Sequence, residues 1–427
     1  MHNLFNCMYY LATAALKDLT THSMNILIIS QRCPFPPNKG EKIRTFHHLK
    51  YLNEQGHKIF LATPYEDDSE LPFFTTLAER YCQQISYSKL GPKFLRLLSG
   101  LFSGKALSVA NFYHQDLQKK IDKQLVDNNI DVIYCSASSV AEYVFNSKVI
   151  SKLAKKPQLL MDFMDVDSDK WAQYAKQTSW PLKYIYQRET KLIARFEKKI
   201  ASSFDHCLLI TQAEVDLFQQ IHGPAFDIHA VENGLDTTSF FPPSAPRDMQ
   251  SPRLLFAGVM DYAPNIDAVM WFVDHVWPSV IKKWPQATFC IAGMDPVDKI
   301  KKLNGQNGIE ITGFVDDIKP YFDNANIFVA PFRLARGVQN KVLQAFASGL
   351  PVIATSMGAE GVKCSDQQDI LLANSASDYI NCLTMLMDDH SKYTNISENA
   401  LAIIQAHYAW NSVLAPLKSL VAEELKT

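Results

Sequence analysis

The chain alternates short unbroken apolar runs with longer amphipathic stretches. "NILIIS" (25–30), "HKIFLAT" (57–63), "DVIYCSA" (131–137), "QLLMDF" (158–163) and "HCLLI" (206–210) are apolar at both alternations of a strand. Strands buried on both faces have this pattern, and amphipathic stretches such as 41–53 supply the helices that cover them. The resulting βαβ rhythm predicts a parallel sheet. It breaks over 231–252, "VENGLDTTSFFPPSAPRDMQSP", where prolines and scarce apolar residues mark a linker. It restarts in "RLLFAG" (253–258), "ATFCIAG" (287–293), "GIEITG" (308–313), "NIFVAP" (326–331), "PVIAT" (351–355) and "DILLA" (369–373). The expected fold class is α/β, with two doubly wound Rossmann-like domains at 24–230 and 253–409. Such sheets bind ligands beyond the carboxyl ends of their strands, so two facing sheets would border a cleft. The tail 410–427 has a helical apolar pattern and no following strand, and is expected to pack back on the first domain. Met24 opens the first strand, so 1–23 reads as an N-terminal extension or a misassigned start.

One amphipathic stretch carries chemistry. In "APFRLARGVQNKVLQAFASGLPVIAT" (330–355), Val338, Val342, Leu343, Phe346 and Ala347 form an apolar stripe at helical spacing. Asn340, Lys341, Gln344 and Ser348 fall on the other side. Gly349 is placed to end the helix and Pro351 cannot continue it. The N-terminus of a helix has unpaired N–H groups and the positive end of the dipole. Gly337 would let a phosphate approach, and Arg333 and Arg336 could add charge-assisted hydrogen bonds. The competing reading is a surface loop whose arginines pair with acids elsewhere.

Composition narrows the choices. The 427 residues are 47% apolar and 20% charged, with a net charge of −2, so no global field favours nucleic acid. Eight scattered cysteines without zinc-site spacing read as reduced thiols of a cytoplasmic protein, and no metal site is expected. No stretch is long and apolar enough to span a bilayer. The segment 88–109, "SKLGPKFLRLLSGLFSGKALSV", mixes lysines and arginine with exposed-pattern Phe and Leu. It reads as a basic amphipathic helix able to lie on the inner face of an anionic membrane, or as a core-facing helix.

Three further motifs lie at strand ends. In "CPFPPNKGEKIR" (33–44), Gly40 stands where the chain turns into a helix, with Lys42 and Arg44 beside it, a plausible second anion clamp. It is neither a Walker loop nor a dinucleotide fingerprint. In "MDFMDVDSDKW" (161–171), Asp162, Asp165, Asp167 and Asp169 crowd one strand end. Asp162 and Asp165, nearest the strand, are the candidates for acid/base work; a solvated acidic loop is the alternative. In "FAGVMDYAPNIDAVMWF" (256–272), Gly258 ends a strand and Pro264 with Asn265 begins a helix; Gly293 and Gly313 repeat the arrangement.

"VENGLD", "FAGVMDYAPNIDA" and "GVQNKVLQAFASGLPVIAT" resemble family-4 glycosyltransferases of the GT-B fold. "RCPFPPNKGEKIRTFHHLKYL" and "MDFMDVDSDKWAQYA" resemble the bacterial sugar transferases that accompany exopolysaccharide and exosortase (PEP-CTERM) systems. The resemblance runs from Met24 to the last helix. It implies transfer of a sugar from a nucleotide-diphosphate donor, a UDP- or GDP-sugar, to a glycan or lipid-linked acceptor, without an obligatory metal and with retention of configuration. It implies that the first domain offers the acceptor and the second holds the nucleotide. Gly40 would face a phosphate, Gly258, Gly293 and Val315 would border the nucleoside, and Asn340 and Lys341 would meet the diphosphate. The family's glutamate pair is replaced by Arg336 and Gln344, and its Arg and Lys after the first glycine by Met260, Asp261 and Asn265. Gln344 can accept from ribose hydroxyls without charge, and Arg333 and Arg336 could restore the positive charge. A nucleotide-sugar-binding protein without transfer activity and a sugar-nucleotide epimerase of the same fold are the alternatives.

Overall fold

A computed structural model describes residues 23–334 and 338–422. The chain forms two compact units: one ends at Asn233 and resumes at Leu414, the other runs from Gly234 to Val413.

The first unit is built on seven parallel strands: β1 (Asn25–Ser30), β2 (Lys58–Tyr65), β3 (Cys82–Lys89), β4 (Val132–Ser136), β5 (Gln158–Met164), β6 (His206–Leu209) and β7 (Ile228–Ala230). Their order is β3-β2-β1-β4-β5-β6-β7. The chain leaves β1 toward β2 and returns on its other side at β4. That reversal opens a crevice at the carboxyl ends of β1 and β4. β1 and β4 are central and buried on both faces, which is why their apolar runs are continuous. The helices used below are α1 (Gly40–Glu54), α2 (Lys93–Phe102), α3 (Leu107–Phe112), α4 (Asp167–Gln177) and α5 (Leu182–Ala201).

The second unit has six parallel strands: β8 (Arg253–Ala257), β9 (Thr288–Ala292), β10 (Ile309–Gly313), β11 (Ile327–Ala330), β12 (Val352–Ala354) and β13 (Leu371–Leu372). The order β10-β9-β8-β11-β12-β13 reverses between β8 and β11. Its core joins Phe256, Phe272, Phe289, Phe328 and Phe346. Helices α6 (Ala263–His275) and α7 (Asn340–Ala347) cover strand ends. In the tail, α8 (Ala415–Ala422) belongs to the first unit, where Gln158 Nε2 donates to the Leu420 carbonyl at 2.9 Å.

The apolar pattern missed two strands. β3 is a polar edge strand with Gln83, Gln84 and Tyr87 exposed, and β7 is three residues long. The segment 88–109 is not one helix: it ends β3 and then breaks between α2 and α3. Among the described residues no helix is long and apolar enough to cross a membrane.

Candidate functional site

In the second unit, the carboxyl ends of β8, β9 and β10 and the start of α7 enclose a cavity of about 300 Å³. Gly258, Gly293, Val315, Asn340, Lys341 and Gln344 all line it, with Met294, Phe314 and Ile318. Sequence reasoning overlooked Met294 and Phe314; both are exposed apolar residues, and nothing in their spacing marks them. The glycines are required by close packing. A Cβ on Gly293, whose φ is +149°, would lie 1.7 Å from the Gly258 carbonyl oxygen. One on Gly258 would lie 2.7 Å from Asn265 Nδ2 and 3.3 Å from Lys341 Nζ.

Asn265 is buried and does not line the cavity. Its Nδ2 donates to the Val259 carbonyl at 2.8 Å and its Oδ1 accepts from Lys341 Nζ at 2.8 Å. It therefore aims the lysine. Lys341 also lies over Phe332, 4.6 Å from the ring centroid. Burial pushes its amine down to about 8. Among the described residues lining the cavity it is the cation, and it has no carboxylate partner to neutralise it there.

Arg333 is placed differently from its expectation. It is absent from the cavity lining and pairs bidentately with Asp267, through Nη2 to Oδ1 at 2.5 Å and Nε to Oδ2 at 3.1 Å. Half-exposed, it follows the competing reading of an arginine satisfied by a surface acid. Arg336 and Gly337 lie outside the described residues.

In the first unit, a cavity of about 580 Å³ sits at the carboxyl ends of β1, β4, β5 and β6. Gly40, Asp165, Asp167, Lys170, Trp171 and Asn233 are among its lining. Lys42 is not: it lines a separate recess of about 10 Å³, with its amine 4.0 Å from Glu70.

Burial corrects the expectation for Asp162, while Arg44 lines the cavity beside Gly40 with little exposed surface. Asp162 is 0% exposed and Arg44 1%. Arg44 donates from Nε and Nη2 to the two Asp162 oxygens at 2.8 and 2.9 Å, and from Nη1 to the Val231 carbonyl at 2.7 Å and Asn233 Oδ1 at 3.0 Å. Tyr134 donates to Asp162 Oδ2 at 3.0 Å and bonds His48 Nδ1 at 2.6 Å. Burial alone would raise the Asp162 carboxyl; the Arg44 charge and hydrogen bonds hold it below the usual range. A carboxylate locked this way cannot reach an acceptor; Arg44 borders the cavity but is held in place by its four hydrogen bonds. The pair is a strut joining α1, β5 and the chain after β7. Arg44, His48 and Leu52 recur at helical spacing on the buried side of α1, the signal that could have shown it.

Among the described residues the carboxylates that line the cavity are Asp165, Asp167 and Glu41, and Glu41 is engaged by Arg32 and Gln31. Lys170 bonds Asp165 and lies 3.9 Å from Asp167. Asp167 accepts from Ser138 Oγ at 2.8 Å. Burial pushes its carboxyl up to about 6, against that hydrogen bond and Lys170. Asp167, which the choice of the two strand-proximal aspartates passed over, is thus the buried carboxylate of this cavity with a raised pKa.

Residues 251–389 match the family described as Glycosyl transferases group 1. An uncharacterized 44.6 kDa protein in the cps region of Klebsiella pneumoniae is 23% identical over 405 residues, covering 92% of this chain and 98% of that protein. Among solved structures, sucrose-phosphate synthase of Thermosynechococcus elongatus superposes with a TM-score of 0.55 at 15% identity, covering 94% of this chain and 99% of the other. Anabaena HepE in complex with UDP gives 0.56 at 15% identity, with the same coverage of both chains. HepE was also solved with UDP-glucose, with a TM-score of 0.54 at 15% identity, covering 94% and 99%. The chain is thus a GT-B protein of two parallel-sheet Rossmann-like units whose second unit carries a glycosyl transferases group 1 domain, and it is a glycosyltransferase.

Proposed function

We propose that the protein transfers the sugar of a nucleoside-diphosphate donor, a UDP-sugar in preference to a GDP-sugar, to a hydroxyl of a glycan or lipid-linked acceptor in cell-surface polysaccharide synthesis, with retention of configuration. The observation that carries this reading is the second unit's cavity, where Lys341, Asn340 and Gln344 of α7 meet the close-packed Gly258 and Gly293. Lys341 would neutralise the diphosphate, Gln344 would accept from ribose hydroxyls, and Phe314 and Val315 would flank the base. Donors held in place by packing stabilise the charge that develops on a leaving diphosphate without reorganising. Asp167, with Asp165 beside it, would orient or deprotonate the acceptor hydroxyl in the first unit. The UDP and UDP-glucose complexes of HepE support the choice of base, and the cps-region relative supports a polysaccharide acceptor.

The acceptor unit is proposed to rest on an anionic bilayer surface. α2 leaves Phe94 (72% exposed) and Phe102 (85%) unpacked, as do the turn before α5 with Trp180 (77%) and the first turn of α5 with Tyr184. Arg188 of α5 donates to the Gly100 and Lys105 carbonyls, tying the two segments together. Lys176, Lys183 and Lys191 line a groove of about 580 Å³ between α4 and α5. Exposed aromatics beside clustered lysines suit a membrane interface.

A screen of UDP-, GDP- and ADP-sugars by thermal shift, followed by product analysis with and without acceptor, tests the assignment. Transfer predicts stabilisation by a UDP-sugar and acceptor-dependent UDP release. A donor bound but left intact, or epimerised without acceptor, contradicts it.

A further inference from the structure

The edge of the first sheet carries a cluster that the transfer reaction does not use. β6 and β7 run parallel with Cys207 opposite Ile228 and Leu208 opposite His229, so His206 stands opposite Asp227. Side chains alternate along a strand, which puts Asp227 and His229 on one face with His206 beside them. Cys207 and Ile228 point the other way, into the core. His206 Nδ1 meets Asp227 Oδ2, and His229 Nε2 lies 3.0 Å from Asp227 Oδ1. One donor atom from each of the three lies within 4.8 Å of the others. His229 Nε2 is shielded from solvent yet makes no well-angled hydrogen bond, so its approach to the carboxylate leaves a lone pair or proton poorly used.

We propose that His206, Asp227 and His229 form a divalent transition-metal site, zinc being the ion that best suits the donors, which clips β7 to the sheet. Two imidazoles and one carboxylate bind zinc at about 2.0–2.2 Å, which sets tetrahedral donors about 3.3 Å apart. The three donor atoms already lie within 4.8 Å of one another, and the exposed side of Asp227 leaves the fourth position to water. Sequence spacing gives no hint of the site, because its residues lie on two strands and only the register joins them. The consequence is mechanical. β7 is a three-residue edge strand, and directly after it come Val231 and Asn233, which hold Arg44. A metal that pins β7 would also pin these partners.

The test uses the full chain stripped with EDTA and titrated with zinc chloride by calorimetry and thermal shift. One zinc per chain and a raised melting temperature are expected, since the ion binds the folded register. D227N and H229Q should each weaken uptake by roughly tenfold or more, with UDP affinity unchanged. Cobalt substitution of the wild-type chain gives a readout that needs no variant: a d–d spectrum without a thiolate charge-transfer band is expected. Absence of saturable uptake, uptake unaltered in both variants, or a thiolate band would each overturn the proposal.

Discussion

Asp162 and Lys341 are both charged groups withdrawn from water, with opposite consequences. Asp162 is fully paired, and removing one partner of a buried pair strands the other charge, at a cost of about 3–5 kcal/mol. D162N should lower unfolding free energy by that order in urea titrations. A variant of wild-type stability and lost turnover would return Asp162 to catalysis. Because its folded pKa is depressed, the pair's stabilisation is complete above the unfolded value of 3.8 and is lost as pH falls through the folded pKa. Lys341 has an amide partner and, among the described residues, no carboxylate counter-ion. Its folded pKa of about 8 lies below the unfolded 10.5, so the folded state carries a desolvation cost below pH 8 that disappears as pH rises toward 10.5. K341M should therefore raise the melting temperature at pH 7, with the gain vanishing near pH 10.5. Asp167 has the opposite sign to Asp162. With a pKa raised to about 6, it is a carboxylate at pH 7, and transfer rate should fall as pH drops through about 6. D167N should abolish that acidic limb, and a limb that persists in D167N would assign the titration elsewhere.

At the scale of elements, α7 joins packing to binding. Val342, Leu343, Phe346 and Ala347 bury its apolar stripe, while Asn340, Lys341 and Gln344 open on the cavity. Its C-terminus closes through Leu350 N–H to the Ala345 carbonyl and Gly349 N–H to the Phe346 carbonyl, both at 2.9 Å, with Gly349 at φ +65°. G349A should cost about 1–2 kcal/mol in stability and leave UDP affinity intact, because the cap lies at the far end from Lys341. Equal stability would show that the backbone relaxes. Periodicity made the helix legible, but it misplaced Val338, which precedes the helix and is exposed, and Ser348, which is fully buried. The central strands were legible because burial on both faces makes them apolar throughout. β3 was not, because an edge strand needs apolar residues on one face only. The cavity glycines were legible from their positions after strands, whereas the pairing of Asp162 was not: its residue type and place at a strand end suit a catalytic carboxylate equally well, and only the buried spacing of Arg44, His48 and Leu52 on α1 hinted at its partner.

At the scale of the molecule, each unit places its cavity beyond the carboxyl ends of a sheet whose strand order reverses, and their chemistry differs: a lysine with amide groups in the second, carboxylates interleaved with lysines and arginines in the first. The membrane surface proposed for the first unit makes a separate prediction. The chain should co-sediment with vesicles containing phosphatidylglycerol and release in high salt, and F94S/F102S should reduce binding. Equal binding to neutral vesicles would contradict the lysine contribution. The central claim is that the second unit's cavity takes a nucleoside diphosphate on Lys341, and calorimetric titration of UDP into wild type and K341M at pH 7 tests it most directly. A charge-assisted hydrogen bond contributes about 1.5–3 kcal/mol, so at least tenfold weaker binding is expected in K341M, with wild-type affinity itself declining above pH 8. Equal affinity in the two proteins, in a K341M variant that folds, would contradict the account.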